Sequence, residues 1–251
     1  MTDDSMDIIF DNRLIINKMK RSVVFFALMV ICFGCAKEYG DPVTVNYAIN
    51  GSYDGLDVSN AFQVTVSDQV TEAVVTVGEQ AHDRVIVKVT DGTLYIGFKP
   101  NTRYNGTAKA VIPANAGLKE VDLSGASSFV GDLNGESVDI ELSGASTYRG
   151  EVKATELEID MSGASDATLS GYCRNKMDID LSGASNLKAF GFDAQSVYGG
   201  MSGSSNADVT VCSDLKVSLS GGSTLTYGTL SGDCTPKVSC SSSGGSTVRS
   251  R

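Results

Sequence analysis

The sequence predicts an all-β fold, an irregular N-terminal β block continuing into a right-handed, single-stranded parallel β-helix of about 19-residue coils. Three observations predict it. A short phrase returns seven times, its Ser-Gly pairs beginning at Ser124, Ser143, Ser162, Ser182, Ser202, Ser220 and Ser243, at intervals of 19, 19, 20, 20, 18 and 23 residues. Ahead of the phrase, apolar residues alternate with acids: Val138, Ile140 and Leu142 with Asp139 and Glu141, then Leu157, Ile159 and Met161, then Met177, Ile179 and Leu181. Period two is the pattern of a strand with one buried face. The composition, with 27 Gly, 4 Pro and no Trp, belongs to a turn-rich β protein, and no stretch sustains a helical period.

Residues 1–18 carry four Asp ahead of a basic start, which does not suit a signal n-region; Met19 is read as the true start and 1–18 as a start-site artefact. Residues 19–34 read as a lipoprotein signal peptide. Met19-Lys20-Arg21 is the basic end and "SVVFFALMVICF" the apolar run, short for a membrane-spanning helix. Gly34-Cys35 resembles a lipobox, although Cys32 stands where Leu is usual; the resemblance implies cleavage before Cys35 and a lipid on it. Residues 35–42 form a tether. Residues 43–117 read as the irregular β block, with Asp91-Gly92 as a two-residue hairpin signal. Residues 118–251 are the repeats, each coil with room for two or three short strands separated by tight turns.

The recurring S-G-A-S is a corner. Its Gly supplies positive φ, the next residue is small, and the serine hydroxyls bond local backbone or the next coil. A nucleophilic serine needs a positioned base, and the single His, His82, lies outside the repeats in a polar turn.

Stacked coils turn each repeat position into a column with rungs about 4.8 Å apart. Asp122, Glu141, Asp160 and Asp180 form one outward acidic column; Asp139, Glu158 and Asp178 form a second beside it. Stacked carboxylates are candidates for holding a cation such as Ca²⁺. The plainer reading is a solvated face that keeps the sheet soluble. Arg149, Lys153, Arg174 and Lys176 fall around the opposite turn in this alignment. Cys212 and Cys234 fall at similar turn positions in adjacent coils, inside the disulfide window of about 4.4–6.8 Å. Cys173 lies two coils from Cys212, near 10 Å, beyond that window. Cys234–Cys240 is the second possibility, and a free buried thiol suits Cys240 equally. Tyr39, Tyr47, Tyr53, Tyr95 and Tyr104 read chiefly as strand packing.

The run "GLDVSNAFQVTVS", then "DGTLYIGF", then reiterated "LSGAS" ending in "SGGST" resembles the exported family described as "putative auto-transporter adhesin" head domains, over roughly Val43 to Val248. The resemblance implies an all-β stack and an envelope lipoprotein or secreted location, and it brings no catalytic residues. The chain departs from it at the last, longer interval, where Gly232-Asp233-Cys234 is inserted.

The net charge of −10 argues against a nucleic-acid partner and against electrostatic adhesion to anionic lipid. The expectation is a non-catalytic, adhesin-like lipoprotein of the cell envelope, at the outer membrane and either surface-exposed or periplasmic. Its ligand would be a glycan or a protein, its membrane contact the lipid anchor alone. It would need no cofactor, and homo-oligomerisation stays open. A β-helix lyase or hydrolase acting on polysaccharide, or a structural spacer, are the alternatives.

Overall fold

The computed structural model describes residues 39–229 and 234–251. The signal segment and Cys35 lie outside the described residues. The end of the tether is docked: Tyr39 and Asp41 accept backbone hydrogen bonds from Gln80 and Glu79.

The first seven strands are β1 (Pro42–Tyr47), β2 (Gly55–Val58), β3 (Phe62–Ser67), β4 (Ala73–Gly78), β5 (Val85–Thr90), β6 (Thr93–Phe98) and β7 (Ala108–Pro113). A short 3-10 helix, Glu79–Arg84, carries His82 between β4 and β5. Next come β8 (Glu120–Leu123), β9 (Ser128–Val130), β10 (Leu133–Leu142), β11 (Thr147–Met161), β12 (Asp166–Leu181), β13 (Asn186–Met201), β14 (Asn206–Leu219) and β15 (Thr224–Gly228). The chain closes with β16 (Lys237–Val238), β17 (Ser241–Ser242) and β18 (Thr247–Ser250).

From β8 onward every strand pair is parallel and offset by one repeat, the arrangement of a β-solenoid. Three walls enclose one apolar core. The first wall holds the segment before each S-G-x-S phrase, the second the segment after it, and the third a short stretch such as Tyr172–Cys173. Only the first corner is a tight turn. The other two are bends inside strands of 14–16 residues, marked by register shifts between Thr168 and Ser170 at one and between Cys173 and Lys176 at the other. The separate short strands foreseen for each coil are therefore continuous bent strands. A bulge re-aims a strand without breaking its ladder, so such corners leave little trace in sequence.

The parallel stack also runs across the 117/118 change in sequence pattern. β2 pairs in parallel with β8, and β3 with β9. β6 and β7 then stack on the outer sides of β2 and β3. The coil built from β6 and β7 thus lies outside the coil that precedes it in the chain. The corner of the β2–β3 coil is "SNA" instead of S-G-A-S: Asn60 and Ala61 take φ of 61° and 63°. The Asn60 side-chain oxygen accepts the Phe98 N–H at 3.0 Å, tying this corner to the outer coil. Antiparallel strands finish that end. β5 pairs with β6 through the Asp91-Gly92 turn, both residues at positive φ, while β4 pairs with β7 and β1 with β4. Antiparallel partners close edges that would otherwise template foreign strands.

Inside, alternation becomes columns. Leu94, Leu56, Val121, Ile140, Ile159 and Ile179 follow one another in register and are all buried. On the second wall Val64, Phe129, Tyr148, Ala167, Leu187, Ala207 and Leu225 do the same. Tyr148 is fully buried and donates its hydroxyl to the Gly131 carbonyl at 3.0 Å. That burial pushes its phenol well above the usual tyrosine range. Cys212 and Cys234 are joined in a disulfide with Cα atoms 4.7 Å apart, tying the segment before β16 to the coil above; Cys173 is a buried free thiol and Cys240 a half-buried one.

The corner itself is built from the phrase. The seven phrase glycines have φ between +68° and +77°. At Gly163 a Cβ would stand 2.3 Å from the Gly144 carbonyl oxygen, the oxygen that accepts the Ala164 N–H at 2.7 Å. The rung-to-rung hydrogen bond is incompatible with any side chain there. The second serine of each phrase turns inward: Ser127, Ser146, Ser165, Ser185, Ser205 and Ser223 are buried. Each donates to the carbonyl three residues back, at 2.7–3.0 Å.

Candidate functional site

The first wall carries the acids. Alternation sends Ile140, Ile159 and Ile179 inward, so their neighbours face solvent. Asp122, Glu141, Asp160 and Asp180 occupy consecutive rungs of one column. Asp139, Glu158 and Asp178 occupy consecutive rungs of the next. The structure adds two acids that the repeat alignment missed: Asp57 pairs in register with Asp122, and Glu120 with Asp139. Asp57 belongs to the coil that turns at SNA, outside the repeat, whereas Glu120 stands at the regular spacing from Asp139 and extends the second column by one rung. Tyr95 sits on the rung beyond Asp57, and Tyr198 on the rung beyond Asp178. Gly200 ends the Asp180 column.

Crowding acts on these groups in one direction. Partial burial, then the charges of Asp57 and Asp139, raise the Asp122 carboxyl above its ordinary value. Asp160 is raised by burial and then by Glu158, Asp180, Glu141 and Asp178. Asp139 is raised by burial and by Asp160, Glu120 and Glu141, against a backbone hydrogen bond that lowers it; Asp57 is raised by burial. Lys176 lies on this wall, not around the opposite turn: its ammonium pairs with Asp178 at 2.5 Å and sits 5.9 Å from the Tyr198 ring centre. The bend between Cys173 and Lys176 brings it round, a register shift invisible to an ungapped alignment. Lys153 pairs instead with Glu151, and Arg174 stacks on Tyr172. Among the described residues no three His, Cys, Asp or Glu side chains converge as a metal site. His82 lies outside the stack, its ring nitrogens engaged by the Glu79 carbonyl and Asp83.

The second wall carries a different ladder. The residue after each S-G-x-S phrase faces outward: Ser128, Thr147, Asp166, Asn186, Asn206, Thr224 and Thr247 stand in one register column. Asn206 donates its amide N–H to the Asn186 side-chain oxygen at 3.0 Å. Beside it runs Val130, Arg149, Thr168, Lys188, Asp208, Thr226 and Arg249. Hydroxyls and amides, which both donate and accept, thus recur at every rung of a flat strip. The signal in the sequence is a polar residue directly after every phrase.

Crystal structures of three proteins share this fold. A "putative adhesin" from Bacteroides fragilis superposes with a TM-score of 0.72 at 18% identity, covering 84% of this chain and 97% of that one. A "putative lipid binding protein" from Parabacteroides distasonis gives 0.60 at 21%, covering 84% and 97%. A "putative adhesin" from Parabacteroides merdae gives 0.58 at 20%, covering 86% and 98%. No curated protein matches the chain. The family profile described as "Putative auto-transporter adhesin, head GIN domain" matches residues 52–229, from the strand before the SNA corner to the end of the last regular coil, and the chain belongs to that family.

Proposed function

We propose that the protein is a non-catalytic binding module of the cell envelope, adhesin-like, whose second wall engages an extended, hydroxyl-rich glycan. One observation carries this reading: the unbroken column from Ser128 through Asn186 and Asn206 to Thr247. A polymer with its own short repeat meets a hydrogen-bonding side chain at each rung, so weak contacts add along its length. The acids of the first wall keep that face soluble and repel a second sheet. Glycan cleavage by carboxyl groups sets one pair, one protonated and one ionised, on either side of the scissile bond, whereas these acids are spread evenly along two long columns.

A glycan array probed with the chain tests this. The paired change Asn186→Ala and Asn206→Ala is expected to weaken retention about tenfold, the size of one or two lost hydrogen bonds, with melting unchanged. Replacing Glu141, Asp160 and Asp180 together by Asn is expected to leave retention intact. Retention that survives the second-wall change but disappears with the first-wall change would contradict the assignment.

A further inference from the structure

A groove of about 550 Å³ lies at the seam where the chain crosses back from β7 to β8. Its size is that of a small-molecule site. Val66, Ile112, Leu118, Val130 and Leu133 supply its apolar lining. Val130 is 49% exposed, one of two large apolar side chains so exposed among the described residues.

The surrounding groups decide what fits. Backbone donors along the groove are already used: Ala114 N–H on the Ser67 carbonyl, Gly131 on Arg149, and Asn134 on Leu118. The Gly131 carbonyl accepts from Tyr148. An added peptide strand would find few partners there, whereas an alkyl chain needs none. At the rim, Lys153 is tied to Glu151. Asp132 and Arg149 have no ion-pair partner among the described residues. One Asp132 oxygen accepts the Glu151 N–H, and Arg149 is the rung partner of Val130. The groove therefore has an apolar floor with Asp132, whose charge reaches Lys153, on its lining and Arg149 one rung from Val130, outside that lining.

We propose that this groove takes the alkyl chain of a zwitterionic amphiphile of the phosphocholine type, with Asp132 toward the ammonium and Arg149 toward the phosphate. The site adjoins the Ser128–Thr147 end of the second wall, three rungs from Asn186, and amphiphile binding is read by its own titration, separately from glycan retention. Titration calorimetry with dodecylphosphocholine below its micellar concentration tests it on the full chain. The expected result is saturable binding that Val130→Asn weakens about tenfold, with melting unchanged. Both proteins carry the same leading residues, so the difference locates the site. Dodecyl sulfate and dodecyltrimethylammonium are expected to bind more weakly, and Asp132→Asn and Arg149→Gln each to erase part of that preference. Absent saturation, unchanged affinity in Val130→Asn, or equal affinity for all three amphiphiles would overturn the proposal. So would a self-associated chain that Val130→Asn converts to monomer, because a second copy would then be the occupant.

Discussion

Ser165 is buried inside the stack, and its hydroxyl reaches the Ser162 carbonyl at 2.8 Å. Two residues earlier, Gly163 holds φ +73° under the Gly144 carbonyl. The phrase thus contains two demands of different severity. Removing the serine hydroxyl takes away one hydrogen bond and leaves the Ser162 carbonyl less satisfied, so Ser165→Ala is expected to cost about 1 kcal/mol. Gly163→Val must escape both the left-handed backbone and a carbonyl contact, and several kcal/mol is expected, at least about 3. Thermal unfolding of the two variants measures the difference. Equal midpoints would remove the corner from the account.

The first wall behaves as an element because its charges share one sheet. Asp57, Asp122, Asp139 and Asp160 all have carboxyls raised in the folded state, first by burial. The folded protein then holds more protons than the unfolded chain between the ordinary and the raised values. Stability is accordingly lowest above the raised values and increases as pH falls from neutral through them toward the ordinary aspartate range. The exposed pair Lys176–Asp178 opposes this only weakly on acidification. Replacing Glu141, Asp160 and Asp180 by Asn is expected to raise stability at neutral pH by roughly 1 kcal/mol per relieved rung and to flatten the pH slope, since unit charges about 5 Å apart in water repel by about that much. Denaturant unfolding from pH 4 to 8 (roughly the carboxylate range upward) checks both. A wild-type stability that climbs with pH in that window contradicts the crowding argument.

Legibility differed between elements for a physical reason. Columns such as Glu141, Asp160 and Asp180 were readable because an exact phrase fixed their register and a one-residue slip would invert the face. Asp57 was not: its coil turns at SNA and follows no 19-residue spacing, whereas Glu120 shares the regular register of Asp139 and was as legible as the rest of that column. The place of β6 and β7 outside β2 and β3 rests on contacts distant in sequence, which local pattern does not encode. Lys176 was misplaced because bulges at the unmarked corners shift register.

At the scale of the molecule, one apolar core runs from the β1–β4–β7 end to the final short strands, and its exterior is divided by wall. The first wall concentrates like charge, the second alternates hydroxyls, amides and mixed charges, and the seam beneath β7 opens an apolar groove. Such a rod positions repeated weak contacts rigidly, which favours holding a polymer over cutting it. The most direct measurement of that claim is the appearance of new reducing ends when the chain is incubated, with and without Ca²⁺, with the polysaccharide it retains. The account predicts retained polymer and no new ends under either condition. New reducing ends that require Ca²⁺ and vanish when Glu141, Asp160 and Asp180 are replaced by Asn would contradict it.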